Sequence, residues 1–208
     1  MKSVYSKILK DSIASSWAMI CVFLLTIVLV RFFTIIIHHK KVSFYKEAMN
    51  LFALFYSLIL FSLLTNSEAN IGGGYNIMPF TEMTRYTFGS NLFMLNVVGN
   101  ILAFIPFGYF IGHYVNPKKI WPVIITSLIT GITVELVQLR IGRSFERDDI
   151  LLNLFGSILG YLLYIGLSAI NKKLPDVLKS DLVYNIITIV LLLLFGIYIF
   201  GYWGVVFK

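Results

Sequence analysis

The sequence predicts an all-α, polytopic membrane protein with about six transmembrane helices in one bundle, and three observations predict it. Of its 208 residues, 58% are hydrophobic and only 13% charged, with a mean hydropathy of +0.85; a soluble domain of this size is far less apolar. Apolar stretches long enough to cross ~30 Å of hydrocarbon recur along the chain. The few polar residues are not scattered. They gather where three of these stretches meet one membrane boundary, whereas the other boundary carries mostly simple lysines. Polar groups inside a bilayer are costly, so such a gathering points to a site.

The expected spans are Ile13 to Val30 (extending past Arg31 to Ile37), Ala48 to Thr65, Leu92 to Val115, Ile120 to Ile141, Ile150 to Ile170 and Leu182 to Phe207. Lys2, Lys7 and Lys10 ahead of the first run resemble a signal peptide. No small-residue cleavage site follows between Arg31 and Lys41, so the run is kept as a span. The sixth, rich in Leu, Ile and aromatics, reads as packing. These spans divide the chain into an additional N-terminal helix and loop (1–47), a central transmembrane domain (48–170) and a C-terminal loop and helix (171–208), with no internal repeat and no soluble domain.

Connections are short except Asn66 to Asn91. Its Gly72-Gly73-Gly74 run lacks the Gly-Lys-Ser/Thr ending of a phosphate loop and reads as a flexible stretch. The single Cys21 excludes a disulfide framework and a thiolate metal cage. The net charge of +7 comes from lysines in short loops, which fits anionic lipid headgroups and topology control rather than nucleic acid. The loops after spans one, three and five hold Lys40, Lys41, Lys46, Lys118, Lys119, Lys172, Lys173 and Lys179. They are placed in the cytoplasm, and the polar cluster outside.

Alternating spans bring the start of span three, the end of span four and the start of span five to one face. At 1.5 Å per residue, Asn96 and Asn100 lie roughly 6 and 12 Å below the start of their helix. Glu135 is about 9 Å from the end of span four, and Asn153 about 5 Å into span five. Asn96, Asn100 and Ala103 share one stripe; so do Gly131, Glu135 and Gln138, and so do Asp149, Asn153, Gly156 and Gly160. Small residues on these stripes let another backbone approach, and Gly108 and Gly112 add a second small face. An ionised Glu135 aimed at lipid costs on the order of 2.5–3.5 kcal/mol at the bilayer centre, so the three faces are expected to converge inside the bundle. Pro106 removes a hydrogen bond to the Leu102 carbonyl and is expected to kink span three.

Each group has two readings. Glu135 and Asp149 are candidate bases of an acid–base pair, or members of a buried network that fixes helix register. Glu146, Asp148 and Asp149 offer oxygen ligands to a cation, but Arg143 and Arg147 offset that charge. Capping the first turn of span five is the better use of Asp148 or Asp149, and no metal or cofactor is expected. Arg140, Arg143 and Arg147 suit either a phosphate or carboxylate ligand, or headgroups and neighbouring acids. Asn76 and Pro79-Phe80 form either a lid over the cluster or an ordinary turn. Arg31 snorkels or marks the end of span one. His38, His39 and His113 receive no role.

Four motifs follow one another: Asn76-Ile-Met-Pro-Phe80, Asn100-Ile-Leu-Ala-Phe-Ile-Pro106-Phe-Gly108, Glu135-Leu-Val-Gln138, and Gly142-Arg143-Ser-Phe-Glu-Arg-Asp-Asp149-Ile-Leu-Leu-Asn153-Leu-Phe-Gly156. In that order they resemble the VanZ-like family of bacterial membrane proteins, over about residues 70 to 165. The resemblance implies roles for Asn76, Pro79, Phe80, Asn100, Pro106, Gly108, Glu135, Gln138, Arg143, Asp149, Asn153 and Gly156. It also implies a bacterial cell-membrane protein that modulates susceptibility to glycopeptide antibiotics, chiefly teicoplanin, with span one additional to the short founding member. The expected partners are membrane lipids and a glycopeptide antibiotic or lipid-linked wall precursor. The expected ligand-binding residues are Asn76, Asn96, Asn100, Glu135, Gln138, Arg143, Asp149 and Asn153. The alternative is an intramembrane enzyme acting on a lipid-linked substrate, weakened because no nucleophile has an adjacent base.

Overall fold

Long apolar runs with few breakers fold as helices, since a helix satisfies every backbone group within its own segment. The computed structural model describes the backbone of residues 2–38, 42–66, 75–76, 80 and 84–206, and side chains within 16–38, 42–63, 80 and 84–198. Among the described residues lie six long helices: α1 (Lys2–His38), α2 (Phe44–Asn66), α3 (Asn91–Val115), α4 (Trp121–Arg140), α5 (Arg147–Lys173) and α6 (Asp181–Val206). All six are long and apolar enough to cross a membrane. The chain is an all-helical polytopic membrane protein, as its composition predicts.

The ends obey local chemistry. Helix α3 stops at Asn116, which takes the left-handed conformation (φ 46°) and donates its N–H to Gly112 O at 2.9 Å, with Pro117 next. Helix α4 begins at Trp121-Pro122, where a missing N–H costs nothing. Helix α5 starts at Arg147, three residues before the expected Ile150, because Asp148 and Asp149 in its first turn suit the positive end of the helix dipole. Within α3, Met94–Val98 forms a π turn, and the remaining Gly99–Val115 is continuous through Pro106.

One element was not foreseen. Tyr75–Asn76 (β1) pairs in parallel with Phe145–Glu146 (β2), Tyr75 opposite Phe145 and Asn76 opposite Glu146. Two residues per strand carry no hydrophobic period that a sequence could reveal.

The chain forms two compact units, Met1–Cys21 with Tyr56–Ser168 and Val22–Phe55 with Ala169–Lys208. In the first, α3 and α5 meet backbone to backbone. A β-carbon on Gly108 would stand 1.8 Å from the Ser157 carbonyl oxygen, one on Gly156 2.3 Å from that of Ile101, and one on Gly160 1.9 Å from that of Ile105. The two small-residue faces expected from the sequence therefore close on each other. Beside them Ile111, Val123 and Tyr161 form an apolar core with Phe107 and Tyr164 packed against it. The hydroxyls of Tyr161 and Tyr164 reach Pro117 O (2.9 Å) and Asn116 Oδ1 (3.0 Å), tying the α3–α4 connection to α5. Tyr56 of α2 donates its hydroxyl to Ala103 O at 2.6 Å, next to the carbonyl that Pro106 leaves without its helical donor.

In the second unit, Tyr45 N–H donates to Asn185 Oδ1 (2.9 Å), the Tyr45 and Tyr184 rings lie 5.1 Å apart, and Tyr184 Oη donates to Asn171 Oδ1 (2.7 Å). Helix α6 differs from its expected packing role. None of its described residues in the apolar stretch 181–198 is buried, although Tyr184 and Asn185 meet Tyr45.

Candidate functional site

The site starts from how α4 ends. Gly142 adopts φ 88°, its N–H donates to Leu139 O (3.2 Å), and Arg143 N–H donates to Gln138 O (3.0 Å). This paired closure of a helix end needs a left-handed residue, which glycine supplies without strain. It returns Arg143 to the side of Gln138. With the Gln138 amide oriented to suit both neighbours, its oxygen accepts from Arg143 Nη1 (2.8 Å) and its NH2 donates to Glu135 Oε1 (3.0 Å). The other carboxylate oxygen, Glu135 Oε2, accepts the backbone N–H of Glu146 at 2.8 Å. Glu135 is 1% exposed and Gln138 3%. Guanidinium, amide, carboxylate and backbone amide thus form one relay from α4 to β2, with the three-residue spacing of Glu135 and Gln138 putting both on one face.

That relay also sets where the second loop docks. Glu146, held by Glu135, is the residue paired with Asn76. Two residues on, Asp148 is 1% exposed and its Oδ1 accepts the Phe80 backbone N–H at 2.7 Å. Phe80 itself has φ 66°, a costly conformation for a bulky residue, and its carbonyl accepts both the N–H (3.2 Å) and the hydroxyl (2.7 Å) of Thr84. The loop that carries the Asn76-to-Phe80 motif is therefore fastened to the cluster's own segment at two points. Pro79, the Gly72-Gly73-Gly74 run and the side chain of Asn76 lie outside the described residues.

Of the remaining expected residues, Asn153 is 2% exposed, and its Oδ1 has no hydrogen-bond partner among the described residues; the same holds for Ser127 Oγ, which is fully buried. Gly131 faces Ile150 and Glu135 faces Glu146, so the antiparallel register puts Ser127 level with Asn153 and Leu154. Buried oxygens of this kind gain most from an added hydrogen-bonding group. Asn96 and Asn100 are half-buried on α3, and no described hydrogen bond joins them to the relay. Asp149 is half-buried while Asp148 takes the interior place. The sequence reading took Asp148 as a cation ligand or a helix cap and put only Asp149 in the binding set, although the row Asp148, Leu152, Gly156, Gly160 repeats strictly every four residues and ends on the same glycines.

Glu135 and Gln138 are packed against protein groups rather than around a hollow. Open space lies on the adjacent face of α4, in a cavity of about 330 Å³ lined by Ser57, Phe61, Phe107, Ile129, Thr133 and Val137 among others. From Ile129 to Val137 this groove runs about 12 Å along α4 and stops level with Glu135 and Gln138.

Two consequences are measurable. Gly142→Ala meets no neighbouring atom, so its expected loss is the backbone strain alone, about 1–2 kcal/mol in thermal unfolding in detergent. Asp148→Ala is expected to cost about 1.5–3 kcal/mol, the worth of a hydrogen bond to a charged group. It should also hasten protease cleavage between α2 and α3, while Asp148→Asn, which keeps an acceptor, should leave that loop protected.

Comparison with curated proteins and with solved structures finds no match. Residues 16–170 match the family model described as VanZ/LLP1, a region that includes most of the first span and every motif described above. With this match covering most of its length, this polytopic membrane chain belongs to the VanZ/LLP1 family.

Proposed function

We propose that the chain acts in a bacterial cell membrane to modulate susceptibility to glycopeptide antibiotics of the teicoplanin type, by binding an amphiphile or a lipid-linked envelope component on the outward side. One observation carries this reading beyond family membership: an apolar groove on α4 ends level with a buried relay whose half-buried outer member is Arg143. An amphiphile has the same division, an apolar chain next to a polar head. Its chain lies along Ile129 to Val137, and its anionic group meets Arg143, whose planar fork suits carboxylate or phosphate. Glu135 and Gln138 hold Arg143 in place from behind, and Asn76, Asn96, Asn100, Asp149 and Asn153 complete the recognition shell.

The test is expression of the full chain in a susceptible bacterium, with inhibitory concentrations measured for an acylated glycopeptide and for one without the acyl chain. Protection against the acylated compound alone is expected. Thr133→Trp, which fills the groove, and Arg143→Gln, which removes the cation, should each abolish it. Equal protection against both compounds, or unchanged protection in Thr133→Trp, would refute amphiphile binding in the groove. Should Glu135→Gln bind the acylated compound normally yet lose all protection, the carboxylate would be a general base and the chain an enzyme.

A further inference from the structure

The second unit places an ion pair within two apolar spans. Arg31 of α1 is gripped by Glu47 of α2 through two hydrogen bonds, Nε to Oε2 at 2.8 Å and Nη2 to Oε1. At 1.5 Å per residue, Arg31 lies about 10 Å inside the end of α1 at His38, and Glu47 about 5 Å inside the start of α2 at Phe44. The pair borders a cavity of about 450 Å³ whose other walls include Ile27, Val28, Phe32 and Leu51.

The chemistry of this cavity is uneven. A guanidinium has five N–H donors in a fixed plane. Glu47 takes two of them, so three remain, and no group among the described residues accepts them. The Arg31 side chain stays 41% exposed, which leaves those donors beside apolar walls at membrane depth. In hydrocarbon such donors need an acceptor from the protein or from the lipid. A carboxylate already neutralises the charge, so what is wanted is a set of oxygens in a planar, forked arrangement with an apolar tail attached.

We infer that this cavity is a site for one phospholipid of the leaflet on the lysine-loop side, its phosphodiester oxygens taking the remaining Arg31 donors and an acyl chain lying against Ile27, Val28 and Phe32. The two unesterified phosphate oxygens match the guanidinium fork in geometry. Free phosphate would leave the apolar walls uncovered. Lys46, adjacent in sequence to Glu47, is 59% exposed and lies 3.9 Å from Asp181 Oδ2, so its charge is already shared with an acid of α6. The site uses none of the residues of the α4–α5 relay and stands or falls apart from the proposed antibiotic role.

Native mass spectrometry of the full chain, released from detergent with added phosphatidylglycerol, tests it. The wild type is expected to retain one lipid molecule. Arg31→Gln is expected to lower that occupancy at least about fivefold, and Arg31→Lys to fall between, since a point charge replaces a fork. Because Arg31→Gln also breaks the ion pair, Ile27→Trp serves as the second variant: it fills the groove, leaves Arg31 and Glu47 untouched, and should lower occupancy with unchanged helicity. Retention of phosphatidylethanolamine alongside phosphatidylglycerol supports the site, since both bear the phosphodiester. Equal retention of diacylglycerol, or wild-type occupancy in Ile27→Trp, overturns it.

Discussion

Glu135→Ala is expected to lower stability by about 3 kcal/mol or more, because two buried donors lose their acceptor together at about 1–3 kcal/mol each. Those donors are the Glu146 backbone N–H and the Gln138 amide. The loss should show as a lower Tm in detergent and as faster cleavage of the α4–α5 connection, whose position depends on Glu146. Glu135→Gln separates shape from charge. Its oxygen can still accept from Glu146, but its NH2 meets the NH2 of Gln138. Gln138 must then turn over, and in turning it presents NH2 rather than oxygen to Arg143. One hydrogen bond of three is exchanged for a donor–donor contact, an expected cost of about 1 kcal/mol. Equal Tm for the alanine and glutamine variants would show that the relay does not hold the connection.

Gly160 should be nearly as intolerant, for a different reason. A methyl group there meets the Ile105 carbonyl at 1.9 Å and the Tyr109 backbone nitrogen at 2.8 Å. Backbone cannot rotate aside as a side-chain tip does, so α3 and α5 must separate along the Gly108–Gly156–Gly160 row. Overpacking of this kind costs about 1–3 kcal/mol and occasionally more, so Gly160→Ala is expected at the top of that range and Gly160→Val is expected not to accumulate as a monodisperse protein. Gly166, on the same helix, has no atom within 4 Å of a built β-carbon. Gly166→Ala is therefore expected to raise stability by up to about 1 kcal/mol, the intrinsic helix preference for alanine. The opposite signs at two glycines of one helix can be read by unfolding or by gel-filtration recovery after heating.

What the chain's letters revealed depended on whether a feature repeats. Six spans are legible because each sustains its apolar character over many residues, and the glycine rows are legible because helical spacing aligns them. Glu135 and Gln138 stand out for the same reason, being polar on an otherwise apolar helix. Arg143 is placed by a local rule, since Gly142 after the last apolar turn announces a left-handed closure. The rest depends on partners distant in sequence. Nothing near Asp148 shows that its acceptor serves Phe80, and the choice between Asp148 and Asp149 turns on a rotation of about 100°, which α4 and the second loop decide together. The Tyr75–Asn76 pairing is too short to have a period. The groove beside Thr133 is also invisible in sequence, because it is the space that side chains from α2, α3 and α4 jointly leave unfilled.

Helix α3 contains a turn that closes over five residues where its other turns close over four. Met94–Val98 thus carries one residue more than the rise requires. Excising a single residue there would convert it to ordinary helix, with Gly99–Val115 still presenting Gly108 to α5. The same excision between Ile101 and Gly112 would swing part of the row that meets α5 away from its partner. The polar end of α3 is accordingly the part of this helix where the chain's length is free to vary without a change in its fold.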